Sequence, residues 1–182
     1  MPRLQAINAE NADGIAKELL ENIQARLGMT PNLMRTIANS PAVLQAYLGF
    51  GEALAKGTLS PKLREQIALT VSEANGCNYC LAAHSAIGRS VGLSEEAILD
   101  SRRHSSTDKK DNVVLQFARK LVDNRGFVDD IDISKLRDVG CADGEIAEIV
   151  ANVTHNIFTN YFNQVADTAI DFPQVEALVS TH

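Results

Sequence analysis

No stretch of this 182-residue chain approaches about 18 consecutive apolar residues, so the sequence carries no membrane-spanning helix. A basic excess is missing too: 17 Lys and Arg stand against 23 Asp and Glu, a formal net charge of −6. Arg102-Arg103-His104 and Lys109-Lys110 are short runs followed by acidic residues. The electrostatic attraction that drives binding to phosphate backbones is therefore absent, and no nucleic-acid partner is expected. No segment alternates apolar and polar residues as a half-buried strand would. Low-complexity tracts are absent. No GxGxxG follows a strand, so there is no flavin or nicotinamide fingerprint. Met1-Pro2-Arg3 runs into Gln5, Asn8 and Glu10 rather than into an apolar signal-peptide core. The expectation is a cytoplasmic protein. Cysteine is scarce and odd in number, at three. In a reducing compartment a CxxC pair is a redox or metal motif sooner than a structural staple.

What is present reads as helix. Hydrophobic residues make up 45% and charged residues 22%, an ordinary globular balance, and the chain is long enough to bury a core without metal or disulfide support. The expected organisation is one all-α domain over residues 1–182, with an extended arm at 1–12 and a tail at 167–182. Asp13 caps a periodic run (Ile15, Leu19, Leu20, Ile23, Leu27) that Gly28 ends. Thr30-Pro31 opens a short helix to about Ala38. Ser40-Pro41 opens another, with Val43, Leu44, Tyr47, Leu48 and Leu54, ending near Gly57. Ser60-Pro61 opens a helix to about Asn75 with an apolar stripe of Leu63, Ile67, Val71 and Ala74, a polar stripe of Lys62, Gln66 and Glu73, and Glu65 on the flank between them. Beyond Gly92, Ser94 caps a helix to Asp100, and residues 101–107 form a polar loop. Thr107 or Asp108 caps a helix to about Asn124. Asp132 or Ser134 opens a short helix closed by Gly140, and Asp143 caps the last long helix, to about Ala166. A faint half-repeat links Phe50, Leu54 and Gly57 with Phe117, Leu121 and Gly126.

The chemistry concentrates in Gly76-Cys77-Asn78-Tyr79-Cys80-Leu81-Ala82-Ala83-His84, which holds two of the three cysteines and one of the four histidines. Gly76 suits the positive-φ position after a helix, and the next helix starts at Cys77 or Asn78 and runs to about Val91. Cys77 and Cys80 share a face of the first turn with Cα atoms roughly 5–6 Å apart, within disulfide range. A helix N-terminus favours thiolate over thiol. His84 lies one turn further along the same stripe, about 6 Å up the axis, where it can take a proton from Cys80. Cys77, at the helix mouth, is expected to be the more exposed sulfur. Glu65 sits beside Ala68, Leu69 and Ser72, a place for a partly desolvated acid.

Glu65, eleven residues, Cys77-x-x-Cys80, three residues and His84 together resemble the signature of AhpD-like alkylhydroperoxidases in the carboxymuconolactone decarboxylase family. Leu59-Ser60-Pro61, Asn160-Tyr161-Phe162-Asn163 and Asp171-Phe172-Pro173 resemble its peroxidase-related branch. The likeness spans roughly residues 10–175. It implies an AhpD-like multi-helix fold with internal duplication. It also implies a peroxidase in which Cys80 attacks the O–O bond of a hydroperoxide, His84 deprotonates Cys80, Glu65 orients His84, and Cys77 condenses with the resulting sulfenic acid. An external dithiol, lipoyl- or thioredoxin-like, then resets the disulfide. No metal and no organic cofactor is required. Homo-oligomers, trimers or hexamers, are implied as well, with Tyr47, Phe50, Phe158, Tyr161 and Phe162 as interface or core aromatics. One position departs: where well-understood members carry a His before the second Cys, this chain has Tyr79, a candidate accessory residue.

Other readings remain open at this level. Cys77, Cys80 and His84 supply three ligands, whereas a structural zinc wants four, and no second paired spacing offers the missing one. A decarboxylase-type relative acting on a small lactone, or a redox sensor without turnover, is the alternative function. Cys141 reads as a small buried thiol and His155 as a core or interface histidine. Asn156, Asn160 and Asn163 read as residues that cap or bridge helices. His104 and His182 read as solvated.

Overall fold

The computed structural model describes residues 1–176 and 178, and among them every regular element is helical. The order is α1 (Gly14–Leu27), α2 (Asn32–Ile37), α3 (Pro41–Ala55), α4 (Pro61–Ala74), α5 (Asn78–Ser90), α6 (Glu95–Arg102), α7 (Lys109–Asp123), α8 (Asp130–Asp138) and α9 (Asp143–Ala166). None of these is long and apolar enough to cross a membrane. The expected all-α class is found, and the end of the predicted tail, with His182, lies outside the described residues.

Helix α4 is the axis of the molecule, packed against α5, α6, α7 and α9. It starts where Ser60 Oγ accepts the Leu63 N–H at 3.1 Å and Pro61 takes the first turn. Leu63, Ile67 and Val71 face a core completed by Val114, Leu115 and Leu121 of α7, Leu136 of α8, and Ile149 and Val153 of α9. The polar stripe expected at Lys62, Gln66 and Glu73 does not face water throughout. Gln66 is buried, and Glu73 receives the Arg102 guanidinium at 2.6 Å. The cause is α6, which folds back over that side: Thr70 Oγ1 donates to the Ser101 carbonyl at 2.7 Å, and Arg102 itself is only 3% exposed. A buried Arg of this kind requires its paired carboxylate.

A second core gathers Leu20 and Ile23 of α1, Leu33 and Ile37 of α2, Leu44 of α3, and the Cys77–Cys80 turn. The N-terminal segment is tied to it. Arg3 and Leu4 donate to the Ala166 carbonyl, Ile7 donates to that of Arg35, and a 3-10 turn at Ala9–Asn11 replaces part of the expected extended arm.

Two helix boundaries shift for a common reason, side chains acting at N3 rather than at the cap. Asp132 accepts the Asp129 N–H at 2.9 Å, so α8 begins ahead of the predicted Asp132 or Ser134. Glu145 accepts the Ala142 N–H at 3.2 Å, which places Ala142, not Asp143, at the cap of α9. Of the two candidates before α7, Asp108 is the cap, accepting from Lys110 and Asp111. Helix α6 extends to Arg102, and the residue after its cap, His104, is not solvated as expected: it is partly buried, at φ 60°, with Nε2 2.7 Å from the Arg119 guanidinium.

Candidate redox site on helices α4 and α5

The site begins with the way α4 stops. Cys77 N–H donates to the Ser72 carbonyl at 2.9 Å and Gly76 N–H to that of Glu73 at 3.1 Å, a Schellman motif with Gly76 at φ 62°. The turn is half-buried, with Gly76 and Asn78 exposed, and the polar groups on its inner side need partners from elsewhere. They come from α9. Gln164 donates to the Asn75 carbonyl, Asn75 Nδ2 donates to Asn160 Oδ1 at 2.9 Å, and Asn160 Nδ2 reaches Ser72 Oγ at 3.5 Å. Asn160, one of the asparagines expected to cap or bridge helices, occupies that place, whereas Asn156 Nδ2 donates to the Asn152 carbonyl within α9 at 2.8 Å.

The reversal delivers Cys77 to the N-cap of α5, where its Sγ accepts the Cys80 N–H at 3.3 Å. Cys77 and Cys80 form a disulfide with Cα atoms 5.3 Å apart. The expected difference in exposure is not found. Both cysteines are only 2% exposed, because the second core covers the helix mouth that the sequence leaves open. A cavity of about 330 Å³ meets Cys80 instead, along with His84.

One turn beyond Cys80, His84 Nδ1 lies 2.8 Å from Glu65 Oε2. The two side chains are 20% and 17% exposed, so the contact is screened less than a surface pair would be. The α4 flank position of Glu65 thus points at α5. A carboxylate on Nδ1 fixes the ring orientation and leaves Nε2 as the nitrogen free to exchange a proton.

Tyr79 lines the same cavity with its ring, edge-on to Phe172 at 5.8 Å. Its hydroxyl oxygen accepts the Leu33 N–H at 3.1 Å, satisfying one orphan donor at the start of α2, and burial raises its pKa. The neighbouring Asn32 N–H is taken by Asp171 Oδ2 at 2.7 Å. Tyr79 therefore braces α2 over the cavity.

Two residues of the site have other roles in the sequence reading, Asn163 as a cap or bridge between helices and Tyr47 as an interface or core aromatic. Asn163 Nδ2 donates to Cys80 Sγ at 3.3 Å; the side chain is buried, and its Oδ1 has no protein partner among the described residues. Its signal lay in its spacing from Asn160, on the stripe of α9 that also buries Asn152 and Asn156. Tyr47 of α3 also lines the cavity. Burial, reinforced by the negative charge of Glu65, pushes its phenol up to about 12. Its ring stacks on His155, centroids 4.5 Å apart and 5° from parallel, and His155 Nε2 lies 3.4 Å from the Tyr47 carbonyl oxygen. Gly51 leaves room for this pair, since a Cβ there would come within 3.3 Å of the imidazole. Phe162 joins Tyr47 on the inner side, whereas Phe50, Phe158 and Tyr161 face outward. Among the described residues no cluster of three or more His, Cys, Asp or Glu side chains is placed to hold a metal ion.

Residues 41–123 match the model of the carboxymuconolactone decarboxylase family. An uncharacterized peroxidase-related protein from Silicibacter sp. TM1040 is 27% identical, with a TM-score of 0.80 over 92% of each chain. The alkylhydroperoxidase AhpD core of a peroxidase-related protein from Ralstonia eutropha JMP134 is 23% identical, with a TM-score of 0.85 over 93% of this chain and 92% of that one. The debrominase Bmp8 shares the fold at 19% identity, TM-score 0.80, over 93% and 91% of the two chains. Among curated proteins nothing matches the chain significantly.

Proposed function

From the match of residues 41–123 to the carboxymuconolactone decarboxylase family and the AhpD-like fold of the chain, we propose that it is a member of that family and a thiol peroxidase working through Cys80. The observation that carries this reading is the 2.8 Å contact between Glu65 and His84 on the wall of the cavity that reaches the Cys77–Cys80 disulfide. In the reduced enzyme His84 takes the Cys80 thiol proton while Glu65 holds the imidazole. The thiolate at the start of α5 is favoured by the helix N-terminus and by the Asn163 amide. It attacks the outer oxygen of a hydroperoxide, giving Cys80 sulfenic acid and an alcohol. Cys77 displaces water from the sulfenic acid and closes the disulfide. An external dithiol, lipoyl- or thioredoxin-like, returns both cysteines to thiols and leaves as a disulfide. The cavity gives such a donor access to Cys80, the sulfur it meets.

The test is turnover. Pre-reduced protein supplied with a hydroperoxide and dihydrolipoamide consumes peroxide over many cycles, and Cys80→Ser stops it. Reduced protein whose Cys80 stays unoxidised in excess hydroperoxide sinks the reading. The apolar walls of the cavity favour one second reading, reductive debromination of a small bromoarene. There the dithiol supplies two electrons, and the aryl bromide leaves as arene and HBr. A bromopyrrole run beside the peroxide separates the two.

The assembly proposed with this activity is a homo-oligomer. Phe50 of α3 and Phe158 and Tyr161 of α9 form an outward aromatic face that a second copy would cover.

A further inference from the structure

The attack at Cys80 leaves a strong base behind. Breaking the O–O bond of an alkyl hydroperoxide yields an alkoxide, and breaking that of hydrogen peroxide yields hydroxide, the conjugate base of water with a pKa of about 15.7. Neither leaves readily without a proton. Tyr79 lines the cavity, but its oxygen accepts the Leu33 N–H and its hydroxyl faces the Asp171 carboxylate, which together with burial holds the phenolic proton in place.

The other hydroxyls of the cavity are committed as well. Thr159 Oγ1 donates to the Asn156 carbonyl at 3.0 Å, and Ser90 Oγ to that of Ile87 at 2.7 Å. Tyr47 differs. It lines the cavity with Cys80 and His84, and its hydroxyl makes no hydrogen bond among the described residues. Its ring is held from outside by the His155 stack and by Phe158, with centroids 5.8 Å apart. Fixing the ring holds the hydroxyl within range of the Glu65 charge without using its proton, which is how a donor is preorganised.

We propose that Tyr47 is the general acid of the peroxidase half-reaction, giving its phenolic proton to the oxygen that leaves when Cys80 attacks. This rests on the thiol-peroxidase reading and assigns within it the proton that His84 and Glu65 leave unassigned. The step balances. His84 removes the thiol proton; the Cys80 sulfur bonds to the outer oxygen as the O–O bond breaks; the leaving oxygen takes the Tyr47 proton. The proton held on His84 then restores Tyr47 through the cavity. The sum is one thiol and one hydroperoxide converted to one sulfenic acid and one alcohol. A phenol with a pKa near 12 keeps its proton at neutral pH, yet it is far more acidic than the alcohol formed, so the transfer runs downhill.

The assignment predicts a dependence on leaving group that a packing role would not produce. Tyr47→Phe keeps the ring and its stack on His155 and removes only the hydroxyl. Oxidation of pre-reduced Cys80 is followed in a single turnover with tert-butyl hydroperoxide and with peracetic acid, whose leaving carboxylate needs no proton. The expected result is a loss of about 100-fold with the alkyl hydroperoxide and an unchanged rate with the peracid. Equal slowing with both oxidants assigns Tyr47 to packing and overturns the proposal. So does an unchanged rate with both, which would leave His84 as the donor. Wild-type Cys80 that reacts with neither oxidant removes the peroxidase reading itself and the proposal with it.

Discussion

In the proposed mechanism Asn163 and Glu65 prepare the chemistry without occupying the reactive position, Glu65 through His84. Asn163 donates to Cys80 Sγ from a buried position, and a hydrogen bond to a charged group contributes about 1.5–3 kcal/mol. Asn163→Ala in the reduced protein is expected to raise the Cys80 thiol pKa by about one unit, read from the pH dependence of its alkylation. An unaltered profile would leave the amide a packing role. Glu65 acts through His84. His84→Gln should slow Cys80 oxidation by about 100-fold, the usual scale for a lost general base. Glu65→Gln should cost less than that and leave the helical signal intact. If Glu65→Gln retains full turnover, the 2.8 Å contact has no part in catalysis. His84 and Glu65 are brought together by α5 and α4, and both could be suspected from the sequence, His84 from its place one turn beyond Cys80 and Glu65 from the resemblance to the family signature, whereas Asn163 reaches Cys80 from α9.

At the scale of the element, α4 sets the tolerance of the fold. Ile67 is fully buried between α7 and α9, so Ile67→Ala removes packing that the surrounding helices cannot refill and should cost about 2–5 kcal/mol in urea unfolding. The α3–α9 contact carries a pH signature. Burial lowers the pKa of His155, with the nearby His84 charge adding to the effect. A histidine whose folded pKa is depressed stabilises the native state while neutral. That contribution is present above the unfolded value of about 6.5 and is lost as pH falls through the folded value. Stability should therefore drop between neutral pH and mildly acidic pH. His155→Asn should flatten that drop in part, because His104, also lowered by burial, contributes with the same sign. Unfolding midpoints with identical pH dependence in wild type and variant would contradict it.

At the scale of the whole molecule, α3 and α9 carry exposed aromatic surface. Tyr161 is 56% exposed on the outer side of α9, and the exposed Phe50 and Phe158 share a hollow with His155. If copies associate there, Tyr161→Lys should reduce the mass measured by light scattering to that of a monomer of 19.7 kDa without loss of helicity. An unchanged mass distribution would place the contact elsewhere. The cavity reaches Tyr47 from the inner side of the same helices, so assembly and site are adjacent in the fold.

Local rules were enough to read the helices of this chain, the Ser60-Pro61 start, the Gly76 turn, and the shared face of Cys77, Cys80 and His84, because each depends on neighbours within one helical turn. Glu65, on another helix, was pointed to by the resemblance to the family signature instead. Tertiary packing decided which faces meet water. The return of α6 buried Gln66 and paired Glu73, and the second core closed over Cys77 while a cavity opened at Cys80. It also brought Asn163 to the Cys80 sulfur and Tyr47 to the same cavity from helices distant in sequence. No periodicity records such contacts, since they arise from the way whole helices cross rather than from the order of residues within one.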